Sequence, residues 1–414
     1  MAQLSDDCFA FGGQLMGVEE AAALIATRVE PRPGREAVPL NAARGRVLAQ
    51  ALLAPGPLPP FFNAAVDGYA FAHASLGAAD TRLRLAGRAP AGRPAAALAP
   101  GTAMRIFTGA PMPAGADTVM MQEDAALDGD ALILPPGLKR GANCRPAGED
   151  VPAGAVALAA GTRLGPAQIG LAAALGLARL DCSPLLRVGV FSTGDELASP
   201  GAALGPAQTF DSNRFTLLAM LAGLPVQGID LGILPDEPVA TAAALATAAA
   251  GHDLLLTSGG VSAGEEDHVR AAIEGAGRLV FWRLAVKPGR PAAMGVIGGT
   301  PVLGLPGNPV AAVVCFLHLA RPLILRLAGA APEALPRYPA IAGFSHRKKL
   351  GRREYLRVRL SRDSQTLRAE KFAREGAGLL TSLTQSDAFC ELLEDTSAIA
   401  PGDVVQVLPF AGIM

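Results

Sequence analysis

The stretch HDLLLTSGGVSAGEEDHVRAAIEGAG, residues 252–277, joins two patterns. Leu254, Leu255 and Leu256 are a continuous apolar run that ends in Thr257-Ser258-Gly259-Gly260, and EEDHVRAAIEGAG then reads as a helix. A strand wet on one face alternates apolar and polar residues, whereas a strand covered on both faces is apolar throughout. The stretch therefore predicts a buried strand, a glycine turn and a helix, which is the repeating step of an α/β sheet.

The same step recurs on both sides. LLRVGVFST (185–193) reads as a strand and SNRFTLLAMLAGL (212–224) as a helix. VQGIDLGIL (226–234) is a strand and EPVATAAALATAAAG (237–251) a helix. RLVFWRLAV (278–286) and PVLGLPG (301–307) are strands, followed by the long helix NPVAAVVCFLHLARPLILRLAG (308–329). Residues 183–330 thus form a mostly parallel, doubly covered α/β domain.

The flanks differ. QLMGVEEAAALIATRVE (14–30) has apolar residues at helical spacing, and a second helix is expected over LNAARGRVLAQAL (40–52). Between 55 and 145, short β-type runs such as AMRIFTG and DTVMMQED alternate with Pro and Gly turns. Helical character returns in GPAQIGLAAALGLARL (165–180), so this β domain is expected to be inserted into a discontinuous helical domain of residues 14–54 and 146–182. Residues 334–414 read as a small C-terminal β domain. The fold class is multi-domain α/β plus β.

Composition excludes several functions. Net charge is −1 with no polybasic block, which argues against nucleic acid or an anionic membrane as partner. The five cysteines, Cys8, Cys144, Cys182, Cys315 and Cys390, are far apart and never in a CxxC pair, as in reduced thiols of a cytoplasmic protein. The histidines lack metal-site spacing. No basic-then-apolar leader opens the chain, and the apolar run at 309–320 stops at Arg321, too short to span a bilayer.

Ligands of open α/β sheets gather at the carboxyl ends of the strands. The loops there hold Ser192, Thr193 and Glu196 in STGDEL, and Asp236 in LPDEP. Ser258, Gly259, Gly260 and Asp267 follow the third strand, Lys287 and Arg290 lie in VKPGRP, and Pro306, Asn308 and Pro309 in GLPGNP. Hydroxyls and glycine N–H groups suit phosphate, as does a helix opened by an Asn308 N-cap. Lys287 and Arg290 suit an oxyanion. Glu196, Asp236 and Asp267 are hard oxygen ligands for Mg²⁺ shared with a substrate phosphate. No GxGxxG follows the first strand, which removes a Rossmann oxidoreductase. In PPFFNAAVDGYAF (59–71), Asp67-Gly68 alone is a hairpin-turn signal.

Eight motifs stand in one order: PPFFNAAVDGYA, RIFTGAPMPAGADTVMMQED, GANCRPAGEDV, GVFSTGDEL, DSNRFTL, TSGGVSAGEEDHV, VKPGRP and GLPGNPV. In that order they resemble the molybdopterin molybdenumtransferases, the MoeA and gephyrin E-domain family. The resemblance implies an elongated four-domain chain with a central MogA-like, molybdopterin-binding α/β domain. It implies a homodimer whose sites are completed between subunits. It also implies a reaction: molybdate and adenylylated molybdopterin bind, molybdenum passes to the dithiolene sulfurs, and AMP is released with Mg²⁺. A molybdopterin adenylyltransferase and molybdoenzyme apoproteins or their chaperones are the implied partners.

Carried onto this chain, the resemblance nominates Asp67, Asp150, Glu196, Asp236 and Asp267 as catalytic acids. It nominates Thr108, Arg145, Lys287, Arg290, Pro306, Pro309, Arg352 and Ser382 for substrate. The chain departs from the family pattern at Phe62, Ala64 and Val66, where an acid, a hydroxyl and Met are usual, and at Ala311 and Ala377, where Ser is usual. These losses keep two other readings open: an adenylyltransferase, or a non-catalytic protein that binds and delivers the cofactor.

Overall fold

The structure, a computed structural model, describes residues 15–32, 34–261, 268–363 and 366–414, with the Trp282 side chain left out. Asp267 lies outside the described residues. The chain divides into two compact units. One comprises Ala51–Ala159 and Pro166–Arg179; the other holds the described residues up to Gln50, Ala160–Gly165 and Leu180–Met414.

The larger unit is built on a six-stranded sheet. Its strands are β1 (Leu186–Thr193), β2 (Val226–Leu234), β3 (Leu254–Ser258), β4 (Gly277–Trp282), β5 (Ala293–Ile297) and β6 (Thr300–Leu305), in spatial order β2-β1-β3-β6-β5-β4. The first four of that order are parallel, and β5 runs antiparallel to both neighbours. Side chains alternate between faces. Leu254 and Leu256 enter a core with the N-terminal helix Val18–Arg28 and the helix α4, Pro309–Leu327. Leu255 enters a second core with α2 (Pro238–Ala249) and α3 (His268–Ala276). Both faces are therefore covered, and the wet edges are the strand ends.

The run at 309–320 does not stop at Arg321. Helix α4 continues through a π-turn at Phe316–Ala320, because the Arg321 guanidinium leaves the core to bond the Glu333 carbonyl (3.0 Å) and carboxylate (2.9 Å). This helix has the length and apolar composition to cross a membrane, but 83% of it is buried inside the protein, as a core helix.

Two further expectations are corrected. Residues 40–52 are not a helix. After one turn at Leu40–Ala42, Gly45 takes φ +77°, and the N–H groups of Gly45 and Leu48 go to Leu164 and Thr162 carbonyls rather than back along a helix. The strand expected over 278–286 breaks at Arg283 (φ +88°). Val286–Lys287 then pairs with Arg353 and Glu354 in the C-terminal sheet.

In that C-terminal sheet, Arg353–Asp363, Thr366–Lys371, Tyr338–Ala342, Val404–Pro409 and Ala388–Leu392 pair in turn, and the last pairs back onto the first. The ring leaves no long free edge among these strands.

The smaller unit holds a six-stranded sheet in the order Thr118–Met121, Gly68–Phe71, Thr102–Ile106, Thr81–Ala89, Ala131–Leu134, Ala126–Asp128. Gly68 opens an inner strand, so Asp67-Gly68 is not a hairpin turn. Glycine is needed there for space: a β-carbon would lie 2.0 Å from the Met120 carbonyl oxygen.

Candidate functional site

The carboxyl ends of β1, β3 and β6, with the loop after β2, open into one cavity of about 1100 Å³. Of the sequence-nominated residues it gathers Ser192, Thr193, Glu196, Asp236, Ser258, Gly259, Gly260, Pro306 and Pro309. Parallel strands in register bring these ends together: Ser192 lies opposite Ser258, and Ser258 opposite Leu305.

Several of these groups serve the scaffold. Ser192 Oγ donates to Asp211 Oδ1 (2.9 Å), and Ser258 Oγ donates to the Pro306 carbonyl (3.3 Å). The Gly259 N–H is spent on the Leu305 carbonyl (2.9 Å), so it is not free for a phosphate. The close approach of this turn to β1 requires glycine: φ is +98° at Gly259, and a β-carbon would lie 2.7 Å from the Thr193 hydroxyl. Thr193 lines the cavity, and its Oγ1 is buried with no hydrogen-bond partner among the described residues.

The start of α4 is also partly used. Asn308 sits at the N-cap position with no side-chain cap bond, and the Val310 N–H donates to the Ala377 carbonyl of the C-terminal domain (3.0 Å). Gly378 and Leu380 of that same segment line the cavity.

Two residues that were not nominated shape the floor. Asp211 accepts from Ser192 and from Arg214 Nε (2.9 Å), and Arg214 reaches on to Asp230 (2.6 Å). Asn213 Nδ2 donates to Ser258 Oγ (2.8 Å) and to the Gly307 carbonyl (2.7 Å). Their signal is the polar run Asp-Ser-Asn at 211–213 just ahead of α1 (Asn213–Leu221), the composition of a helix start. That composition did not separate a cap from a site residue.

Glu196 and Asp236 share the cavity, and Gly194 (φ +143°) leaves the room into which the Glu196 carboxylate folds. Asp236 is fixed by a reciprocal pair with Asp195, whose N–H it accepts (3.3 Å) and to which it donates its own (3.0 Å). Among the described residues no group of three or more His, Cys, Asp or Glu is placed to hold a metal. Two carboxylates facing one cavity nevertheless fit Mg²⁺, which completes its shell with water and substrate phosphate.

Lys287 lies elsewhere, in a smaller cavity of about 190 Å³ that it lines with Glu354, Arg357, Lys371, Arg374 and Ala377. Lys287 Nζ donates to Glu354 Oε1 (2.6 Å), while Glu354 Oε2 is buried with no partner among the described residues. Arg357 lines this cavity; the nominated Arg352 lines neither cavity, and its Nε is buried and unpartnered among the described residues. Arg357 lies within the strand Arg353–Asp363, whereas Arg352 precedes it. Arg290 is exposed, with its carbonyl accepting from the Leu284 N–H (2.8 Å). Ser382 is fully buried, accepting from Arg357 Nε (3.0 Å).

In the smaller unit, Asp67 Oδ1 accepts from both the Thr108 hydroxyl (2.6 Å) and the Thr108 N–H (2.8 Å). These bonds hold the Asp67 carboxyl below the usual carboxylate range. Asn63–Ala64 pairs with Cys144–Arg145, and Ala64 also exchanges backbone bonds with Gly109 and Ala110, so the loops carrying Asp67, Thr108 and Arg145 converge. Arg145 is exposed and paired with Glu149 (2.9 Å); Asp150 is exposed, its N–H donating to the Leu58 carbonyl.

The departures from the family pattern fall in different places. Ala64 is buried in an apolar cluster with Ala70, Ile106 and Val119, and Ala311 is buried and lines neither cavity. Phe62 is half-buried, and its carbonyl accepts from the Met112 N–H. Val66 packs against the same apolar cluster as Ala64, and of the five positions 62, 64, 66, 311 and 377, Ala377 alone lines one of the two cavities.

Comparison with known proteins identifies the family. Residues 16–176 match the family described as MoeA N-terminal region (domain I and II), 189–326 the "Probable molybdopterin binding domain", and 339–410 the MoeA C-terminal region (domain IV). The chain is 38% identical to a molybdopterin molybdenumtransferase of Haemophilus influenzae, over 90% of this chain and 93% of that protein. It is 37% identical to molybdopterin molybdenumtransferase 2 of Mycobacterium tuberculosis, over 89% and 94%. Its fold is similar to the crystal structure of a molybdopterin biosynthesis MoeA protein from Pyrococcus horikoshii, with TM-score 0.82, 28% identity, and 96% and 100% of the two chains covered. The chain belongs to the molybdopterin molybdenumtransferase family.

Proposed function

We propose a division of labour between the two cavities for the molybdenum insertion that this family membership assigns to the chain. The large cavity takes adenylylated molybdopterin, and the small one takes molybdate. The observation that carries this reading is a shared wall. The segment 376–380 contributes Gly376 and Ala377 to the small cavity and Gly378 and Leu380 to the large one. A tetrahedral dianion held by Lys287 and Arg357 would thus lie beside the larger substrate.

In the reaction two Mo–S bonds form at the dithiolene, a Mo–O bond breaks, and the oxygen leaves as water with the two thiol protons. Water also cleaves the pyrophosphate link, releasing AMP. Glu196 and Asp236 would hold Mg²⁺, which supplies charge neutralisation at the pyrophosphate. The adenylyltransferase and delivery readings are not favoured, because relatives over nine-tenths of the chain are molybdenumtransferases.

The reading includes a cytoplasmic homodimer whose site is completed across subunits, with Asp67, Thr108, Arg145 and Asp150 of one subunit serving the cavities of the other. Mixing two inactive variants, Asp67→Ala and Glu196→Ala, tests it. A shared site restores about a quarter of the activity after subunit exchange, since half of the dimers are mixed and each has one intact site. No restoration would place the whole site in one subunit.

A further inference from the structure

We infer that His346 is a positioning residue for the small cavity: with its tautomer set by Lys371, it shares the buried Glu354 carboxylate with Lys287, and so lets the Lys287 ammonium turn to an incoming oxyanion. This rests on the reading of that cavity as the molybdate site and says what governs the lysine there.

Glu354 is the constraint. It is 1% exposed, and its Oε2 has no partner among the described residues. Its Oε1 accepts from Lys287 Nζ (2.6 Å) and from His346 Nε2 (3.3 Å). A buried carboxylate stripped of its partners is costly. If Lys287 were its only partner, an oxyanion that drew Lys287 away would leave Glu354 uncompensated. The His346 bond is the one that remains.

Chemistry fixes the proton that makes this bond. Lys371 Nζ lies 3.2 Å from His346 Nδ1, and an ammonium only donates. Nδ1 therefore accepts, and Nε2 carries the proton of a neutral imidazole. An imidazolium would set an N–H on Nδ1 against the Lys371 ammonium. Burial holds the His346 pKa below the ordinary 6.5, and the Lys371 and Lys287 charges add to the depression against the pull of Glu354.

The groups are held by the backbone of the C-terminal domain. His346–Arg347 pairs with Ala398–Ile399, and the strand of Lys371 pairs with the strand of Glu354. Lys371 is anchored a second time, because it also donates to Glu375. Lys287, Glu354 and Lys371 line the small cavity, whereas His346 does not. His346 thus acts on the oxyanion only through its neighbours.

The test is molybdate binding to the full chain, measured by calorimetry. His346→Leu is expected to weaken binding about tenfold or more, the worth of one hydrogen bond to a charged group, and His346→Gln, which keeps an N–H donor, to restore most of it. Glu354→Gln removes the buried charge, so adding His346→Leu to it should cost little. A merely structural histidine gives the same loss in both backgrounds. Nitrogen chemical shifts of the wild-type imidazole, assigned by their loss in His346→Gln, should show an Nε2–H tautomer that is mostly neutral at pH 6.5, where an ordinary histidine is half protonated. That readout decides the matter if His346→Leu unfolds. An Nδ1–H tautomer, an imidazolium, or equal losses in the two backgrounds overturns the inference. So does unchanged binding by His346→Leu when Lys287→Ala weakens it. Unchanged binding by Lys287→Ala sinks the small-cavity reading itself, and the inference falls with it.

Discussion

Arg357 Nε donates to Ser382 Oγ at 3.0 Å, and the same guanidinium donates to the Gly376 carbonyl at 3.0 Å. Ser382 in turn donates to the Leu379 carbonyl (2.6 Å). The three bonds fix the two ends of the segment that walls both cavities and whose Ala377 carbonyl caps the start of α4. Ser382→Ala leaves a buried Arg357 Nε unpaired, which costs about 1–3 kcal/mol of stability. Because the wall moves, KM should rise for both molybdate and the adenylylated pterin. Denaturant unfolding and steady-state kinetics read the two effects separately.

Lys287 and Glu354 form an ion pair, which molybdate would share if it binds in the small cavity as proposed. Lys287→Ala should raise KM for molybdate about tenfold or more, the worth of one charge-assisted hydrogen bond. Glu354→Gln should lower it, because the competing carboxylate is gone. A fall in kcat with no change in KM for either variant would move the oxyanion away from this cavity.

Thr108 keeps Asp67 ionised below the usual carboxylate range. Activity that depends on this charge survives as pH falls through that range. Thr108→Val removes the hydroxyl bond, raises the Asp67 pKa and shifts the acid limb of the rate profile upward. Asp67→Asn should abolish the limb and most of the activity. The pH dependence of kcat/KM for the three proteins checks both.

His318 is buried on α4, stacked on Tyr355 with ring centroids 4.7 Å apart. Burial pushes its pKa down to about 3, against the pull of Glu391, from an ordinary 6.5. Arg321, Arg337 and Arg353 add to the depression. The folded protein thus keeps His318 neutral while the unfolded chain protonates it. Stability is full above pH 6.5 and is lost as pH falls toward 3, by about 1.4 kcal/mol per unit. Glu391 is also held below its ordinary 4.5, because Arg337 and Arg353 outweigh its burial, so it adds a second loss at lower pH. His318→Phe keeps the stack and should flatten the dependence of Tm on pH between 6.5 and 4.5.

The α/β sheet was legible because unbroken apolar runs and glycine-ended strands are local signals, and the cavity followed from the rule that ligands sit at strand ends. What escaped depends on partners distant in sequence. Strand β5 depends on Gly298-Gly299, both at positive φ, as the hairpin turn that joins it to β6. Residues 40–52 have helical spacing, but their N–H groups are claimed by residues near 163. Gly68 looked like a turn glycine, whereas its role is set by Met120 on a neighbouring strand. Lys287 was grouped with the sheet-edge loops by position, yet its strand pairs with Arg353 and Glu354, about 67 residues on. Arg352 lies just before the strand Arg353–Asp363, and the cation that lines the small cavity, Arg357, is five residues on, which a motif match at the strand's start does not find.

The central claim is molybdenum insertion with AMP release, and purified protein tests it directly. With adenylylated molybdopterin and Mg²⁺ present, AMP is followed with and without molybdate, with tungstate in parallel. The account predicts release that requires molybdate, is lost on chelating the divalent ion, and is lost in Glu196→Ala and Asp236→Ala. Release that ignores molybdate, or none with all components present, would contradict it.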